Sequence, residues 1–136
     1  MTRHHCLLPI AAAFTLVACS FGPNKYLSPA NATSLEVLTA YLDAYKAGQC
    51  SWARQLWIDP VPHTGDGDLC GDAQLLAYSV SPEPARPTFD IANFATSLTT
   101  SGSRDGSVEP GRTTWFFQLN RQADGAWRIR SGGSGP

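Results

Sequence analysis

Apolar positions in the first third of the chain recur with the period of a helix. Leu35, Leu38, Tyr41, Leu42 and Tyr45 fall at three- and four-residue spacing, which places them on one face of an α-helix. Thr33-Ser34-Leu35-Glu36 precedes them and reads as a capping box, with Thr33 as N-cap and Glu36 reaching back from three residues on. Gly48 is the expected C-cap. The spacing of Trp52, Leu56 and Trp57 predicts a second, shorter helix over about 51–57, stopped by Pro60 and Pro62. Residues 58–72 hold two prolines, three glycines and four aspartates, a loop composition.

Beyond residue 75 the period changes from helical to alternating. Leu76, Tyr78 and Val80 alternate with small or polar neighbours and predict a strand. Pro82, Pro84 and Pro87 interrupt the chain. From Phe89 to Thr99 the alternation resumes, with Ala92, Phe94 and Leu98 on one side. Residues 101–111 are rich in Gly and Ser and read as a turn region. In 113–120, Trp115, Phe117 and Leu119 face one way and Phe116 the other, so both sides of that strand are expected to be partly covered. Asp124-Gly125 is a hairpin turn dipeptide. After it, Trp127 and Ile129 alternate with Arg128 and Arg130, as on a strand with one wet face. Helices followed by antiparallel strands make an α+β domain, here two N-terminal helices packed on a curved antiparallel sheet. No internal repeat is visible.

The N-terminus follows neither period. Met1-Thr2-Arg3-His4-His5 is a short basic start, and Cys6 to Ala18 carries no charge. That run falls short of the ~20 residues a spanning helix needs and fits a removable signal peptide. Its end, Leu16-Val17-Ala18-Cys19, resembles the bacterial lipobox, in which a cysteine thiol accepts a diacylglyceryl group before cleavage. The resemblance implies a signal peptide over 1–18, lipid attachment at Cys19, a tether over 19–31 and a domain over 32–136. The membrane is then a partner through the lipid on Cys19, with the chain held on the extracytoplasmic face of a bacterial cell membrane. Multiple acyl chains give the stable anchoring that one chain does not.

Composition narrows the picture. Aromatic residues make up 10% of the chain and charged residues 15%, as in a globular domain. Residues 1–18 remove one of the ten Lys/Arg and none of the eleven Asp/Glu, so the remainder is nearly neutral. This argues against nucleic acid as a partner and provides no polybasic membrane patch. Of four cysteines, Cys6 leaves with the signal and Cys19 takes the lipid. Cys50 and Cys70 remain, and in an oxidising compartment they are expected to form a disulfide worth ~3 kcal/mol. A metal or redox site is the alternative, but neither a Cys-x-x-Cys nor a spaced Cys/His set is present.

With these elements in order, the chain resembles the NTF2-like superfamily, a cone-shaped α+β fold, and especially its small members in bacterial lipoproteins. The resembling stretches are ATSLEVLTAYLDAYKAGQC, TTWFFQLNR and GAWRIRSGGSGP. The resemblance implies an NTF2-like cone. Its members include steroid isomerases, dehydratases and binding modules, so the fold selects no single activity. Catalytic members use Asp, His or Tyr lining the cone, and the residues of that kind here are Asp43, His63, Tyr78 and Asp90. Asp43 falls on the wet face of the first helix and His63 in a loop between Pro62 and Thr64. Asp66 to Asp72 concentrates carboxylates, but its spacing is not that of a calcium loop, and turn residues explain it. No motif for a cofactor, a metal or a nucleophile appears. Trp115, Phe117, Tyr78 and Phe94 are the expected lining of an apolar pocket. The expected function is therefore non-catalytic binding of a small apolar ligand or a cell-envelope protein, with an isomerase- or dehydratase-like activity as the alternative. Cys19→Ser is expected to abolish incorporation of radiolabelled fatty acid while the unsubstituted chain is labelled. An unlabelled wild type cut elsewhere would refute the anchor.

Overall fold

The computed structural model describes residues 31–59, 68–82, 84 and 88–135. Cys19, His63 and Asp66 lie outside the described residues. Helix α1 spans Ser34–Lys46 and α2 spans Cys50–Ala53, continued by a 3-10 turn at Arg54–Leu56. Four strands follow, β1 Leu75–Val80, β2 Ile91–Thr100, β3 Gly111–Arg121 and β4 Trp127–Gly133. They form one antiparallel sheet in the order β1-β2-β3-β4. The class is α+β. The helices precede the sheet but stand at residues 34–53, not at the N-terminus of the chain. Among the described residues no helix is long and apolar enough to cross a membrane.

The capping box closes α1 at both ends of the reciprocal pair. The Thr33 N–H donates to Glu36 Oε2 at 2.7 Å, and the Glu36 N–H donates to Thr33 Oγ1 at 3.2 Å. The helix stops where Ala47 hands over to Gly48, whose φ of 72° is the left-handed conformation a glycine takes without strain. Val37, Leu38, Tyr41, Leu42, Ala44 and Tyr45 are buried against the sheet. The sheet returns the same pattern. Ala92, Phe94, Thr96, Leu98 and Thr100 of β2 face inward, as do Trp115, Phe117 and Leu119 of β3 and Ile129 of β4. Tyr41 packs edge-on to Trp57 at 5.8 Å and to Phe117 at 5.6 Å, so one ring joins α1, the α2 segment and the sheet.

Three boundaries differ from the sequence expectation. The second helix ends at Ala53, and Trp57 is extended because it bridges Ile129 of β4 in parallel, with the Ile58 N–H donating to the Ile129 carbonyl at 2.8 Å. Ladder pairing thus overrides helical spacing at residue 57. In β1 a bulge between Leu75 and Ala77 turns Leu75 into the core and leaves Leu76 exposed, so Leu76 does not share the face of Tyr78. Strand β2 begins at Ile91. Phe89 is 81% exposed, with the Arg121 guanidinium 5.2 Å from its ring centre.

Asp68 ties the loop to the helices. Its Oδ1 accepts from the Tyr41 hydroxyl at 2.8 Å and from the Cys70 N–H at 3.1 Å, while Oδ2 accepts from Arg54 Nε at 2.8 Å. Arg54 Nη2 also donates to the Cys70 carbonyl at 2.5 Å. Beside this network Cys50 and Cys70 are bonded, S–S 2.04 Å and Cα–Cα 5.4 Å, as expected for the pair. The Asp68 carboxylate is almost wholly buried, so it is tolerable only because every partner is in place.

Two outcomes follow. Asp68→Ala is expected to cost on the order of 3 kcal/mol by stranding Arg54 and Tyr41, and the pair Cys50→Ser with Cys70→Ser ~3 kcal/mol; urea denaturation measures both. The second concerns high pH. Burial raises the Tyr41 and Tyr45 hydroxyls above the ordinary phenol value, Tyr41 well above it, with the Asp68 charge adding to each. The folded chain holds protons that the unfolded chain releases near pH 10, so stability is full below that value and falls as pH rises past it. Denaturation midpoints measured from pH 8 to 11 are expected to drop above pH 10, and less steeply in Tyr41→Phe.

Candidate functional site

Among the described residues, the buried side chains of α1 and the sheet form one core cluster. Phe94 and Phe117 are fully buried in it, with Tyr41, Leu98 and Leu119. Tyr78 packs against that cluster from outside it. It is half-buried at the sheet margin, and its hydroxyl donates to Asp43 Oδ1 at 2.5 Å. Desolvation first, and the Asp43 carboxylate second, raise its hydroxyl above the ordinary phenol value. Asp43 is exposed on α1, as its position on the wet face predicts. Asp90 is also exposed. Its backbone carbonyl accepts from the Arg121 N–H at 2.8 Å and serves the sheet. The sequence candidates for acid–base chemistry therefore meet in one pair, Tyr78 with Asp43, and that pair lies outside any enclosed space shown by the described residues. Among those residues no group of three His, Cys, Asp or Glu is placed to hold a metal ion.

Of the four expected lining residues, Trp115 borders a groove formed by described residues. A groove of about 570 Å³ lies between the loop after β2, the first half of β3 and the end of β4. Leu69, Val108, Pro110 and Trp115 supply its apolar wall, and Ser107, Glu109, Arg112, Thr113 and Ser134 its polar one, with Gly132 and Gly133 adding backbone. The volume falls within the range of small-ligand sites. Trp115 is itself 8% exposed, and its indole N–H is buried without an acceptor. Such orphans are uncommon in native structures.

The loop that forms the outer wall is held by its own side chains. Asp105 Oδ1 accepts from the Ser103 hydroxyl at 2.7 Å, the Ser107 N–H at 2.9 Å and the Ser107 hydroxyl at 2.7 Å. The Val108 N–H donates to Ser103 Oγ at 2.9 Å, which turns Val108 inward. At the loop's base Gly102 has φ 82°, and a Cβ there would meet the Pro110 ring at 2.8 Å. These contacts give the groove a formed wall. Sequence pattern gives 101–111 only as a turn region and starts the next strand at Thr113, so nothing in that pattern marks Val108, Glu109 or Arg112. The one visible hint was Val108, an isolated apolar residue among polar ones. Leu69 sits inside the carboxylate-rich stretch and was equally silent.

The chain matches no family model, no curated protein and no solved structure. The site must stand on its geometry.

Hydrogen bonds from Ser103 and Ser107 hold the Asp105 carboxyl down to about 2. A depressed carboxylate keeps its contribution above the usual carboxylate range and loses it as pH falls through its own value. The chemical shift of the Ser107 amide is expected to titrate with a midpoint near 2. Asp105→Asn should remove that titration while the resonances of β3 keep their dispersion.

Proposed function

We propose that this chain is a lipid-anchored extracytoplasmic protein whose domain, an NTF2-like cone, binds a small apolar ligand or a cell-envelope protein without turning it over. The observation that carries this reading is the formed groove beside Trp115, set at the margin of the buried core cluster. Binding needs an apolar wall with a few polar groups to orient the guest, and the groove supplies Leu69, Val108, Pro110 and Trp115 with Arg112 and Thr113. Acid–base catalysis needs an ionisable group in a water-excluding site. Asp90 and Asp43 are solvent-exposed, and Glu109 and Arg112 of the groove are exposed as well. The isomerase- or dehydratase-like alternative rests on the Tyr78–Asp43 hydrogen bond and ranks second for that reason.

The anchor supports the same reading from the other end of the chain. An uncharged run ending in Leu16-Val17-Ala18-Cys19 resembles a lipobox and implies a lipid on Cys19. The fold adds its share: a helical layer ahead of a four-stranded antiparallel meander is the element order such a cone uses.

A thermal-shift screen of small amphiphiles against the protein tests the binding. A hit at about one hundred times its Kd is expected to add ~2.7 kcal/mol, and to shift the Trp115 indole resonance and fluorescence. Consumption of the hit by the wild type, lost in Asp43→Asn, would overturn the non-catalytic reading.

A further inference from the structure

The β3–β4 ladder stops before β3 does, and what it leaves open has a definite chemistry. The Arg121 N–H of β3 donates toward β2, to the Asp90 carbonyl. The β2–β3 register runs without a bulge from Ile91↔Asn120 to Thr100↔Gly111. Backbone groups alternate sides along a strand, so odd-numbered residues of β3 turn N–H and C=O to β2 and even-numbered ones turn them to β4. Pairing with β4 ends at Phe116↔Gly133. Thr114 and Arg112 are the next even-numbered residues, and among the described residues no strand lies opposite them. Both are exposed. The Thr114 carbonyl meets the Thr113 hydroxyl at 3.5 Å, a weak contact that leaves its acceptor capacity free. Arg112 borders the groove, and so do Thr113 and Trp115 on either side of Thr114, across from Gly132, Gly133 and Ser134.

We infer that the groove receives an extended peptide segment, which adds as a strand to the open edge of β3 and continues the ladder that β4 begins. The inference rests on the binding reading above and names its partner class. Each of Thr114 and Arg112 offers one donor and one acceptor at strand spacing, and a peptide backbone is the guest that matches both. A small apolar molecule would fill the wall and leave these four groups to water. Successive side chains of an extended segment point to opposite faces. One of each adjacent pair therefore enters the groove against Leu69, Val108 and Trp115, and the next points to the outer face of the sheet. A segment of about four residues, ~13 Å long, spans the open edge. Gly132 and Gly133, the last paired residues of β4, carry no side chain to obstruct it.

A phage library of random heptapeptides, panned against the detergent-solubilised full chain, supplies the probe. Enriched peptides are resynthesised with a single N-methyl group at each position in turn. Strand addition predicts a loss of about ten-fold or more at every second position and little change between them. On binding, the amides of Arg112 and Thr114 are expected to become protected from hydrogen exchange. Thr114→Pro removes an N–H that serves no β2 pairing, and it is expected to weaken binding about ten-fold. Protection of the wild-type amides decides the matter if that variant unfolds. A library that yields no binder, or binders indifferent to the N-methyl position, overturns the strand. In that case small-amphiphile hits that still shift Trp115 leave the groove reading standing, and no shift at Trp115 from either probe removes both.

Discussion

A carboxylate that is almost entirely out of water organises this domain. Asp68 has no stable place in the interior unless Arg54, the Tyr41 hydroxyl and the Cys70 amide all reach it, and each belongs to a different piece of chain. Arg54 comes from the turn after α2, Tyr41 from the middle of α1, and Cys70 from the loop that leads to the sheet. Meeting one buried charge therefore fixes the relative position of three segments. The Cys50–Cys70 bond lies over the same junction and limits how far the loop can depart when the polar network is strained. Tyr41 passes the constraint on, since its ring is wedged between Trp57 and Phe117 while its hydroxyl serves Asp68.

Periodic patterns made much of the fold legible. The capping box at Thr33 and Glu36, the apolar stripe of α1 and the alternation in β2 and β3 reflect local rules that tertiary packing left intact. Cys50 with Cys70 was readable by accounting for thiols. Failures came where long-range contacts decide the backbone. Trp57 follows helical spacing but is drawn into a bridge with Ile129, a residue far along the chain. Leu76 matches the alternation of β1, yet a bulge hands its inward place to Leu75. Asp68 sits in a stretch whose composition says turn, and nothing in that composition separates a buried carboxylate from its wet neighbours.

The candidate site was less legible for a related reason. An aromatic residue in an alternating strand can serve core or cavity equally well, and which one it serves depends on what faces it. Phe94 and Phe117 face α1 and are core, whereas Trp115 lies where the helical layer ends and the loop over 103–108 takes over. That loop is assembled from serine hydroxyls and one carboxylate, residue types too common in turns to announce a wall. The groove arises from a mismatch in strand length, eleven residues in β3 against seven in β4, and a length mismatch is a property of pairing rather than of either segment alone.

The bridge between Trp57 and Ile129 has a consequence for the cooperativity of the whole domain. It places the residue that ends the helical layer against the outer side of the last strand, so the end of that layer and β4 share a seam. Ile129 is fully buried there, and Trp57 nearly so. A truncation that removes β4 would uncover the Trp57 side of the helical layer as well as the margin of β3. The meander looks divisible strand by strand by its connections, but α1 packs against both β1 and β4 and the Trp57 bridge adds to β4, so its two end strands are held through the same helical layer.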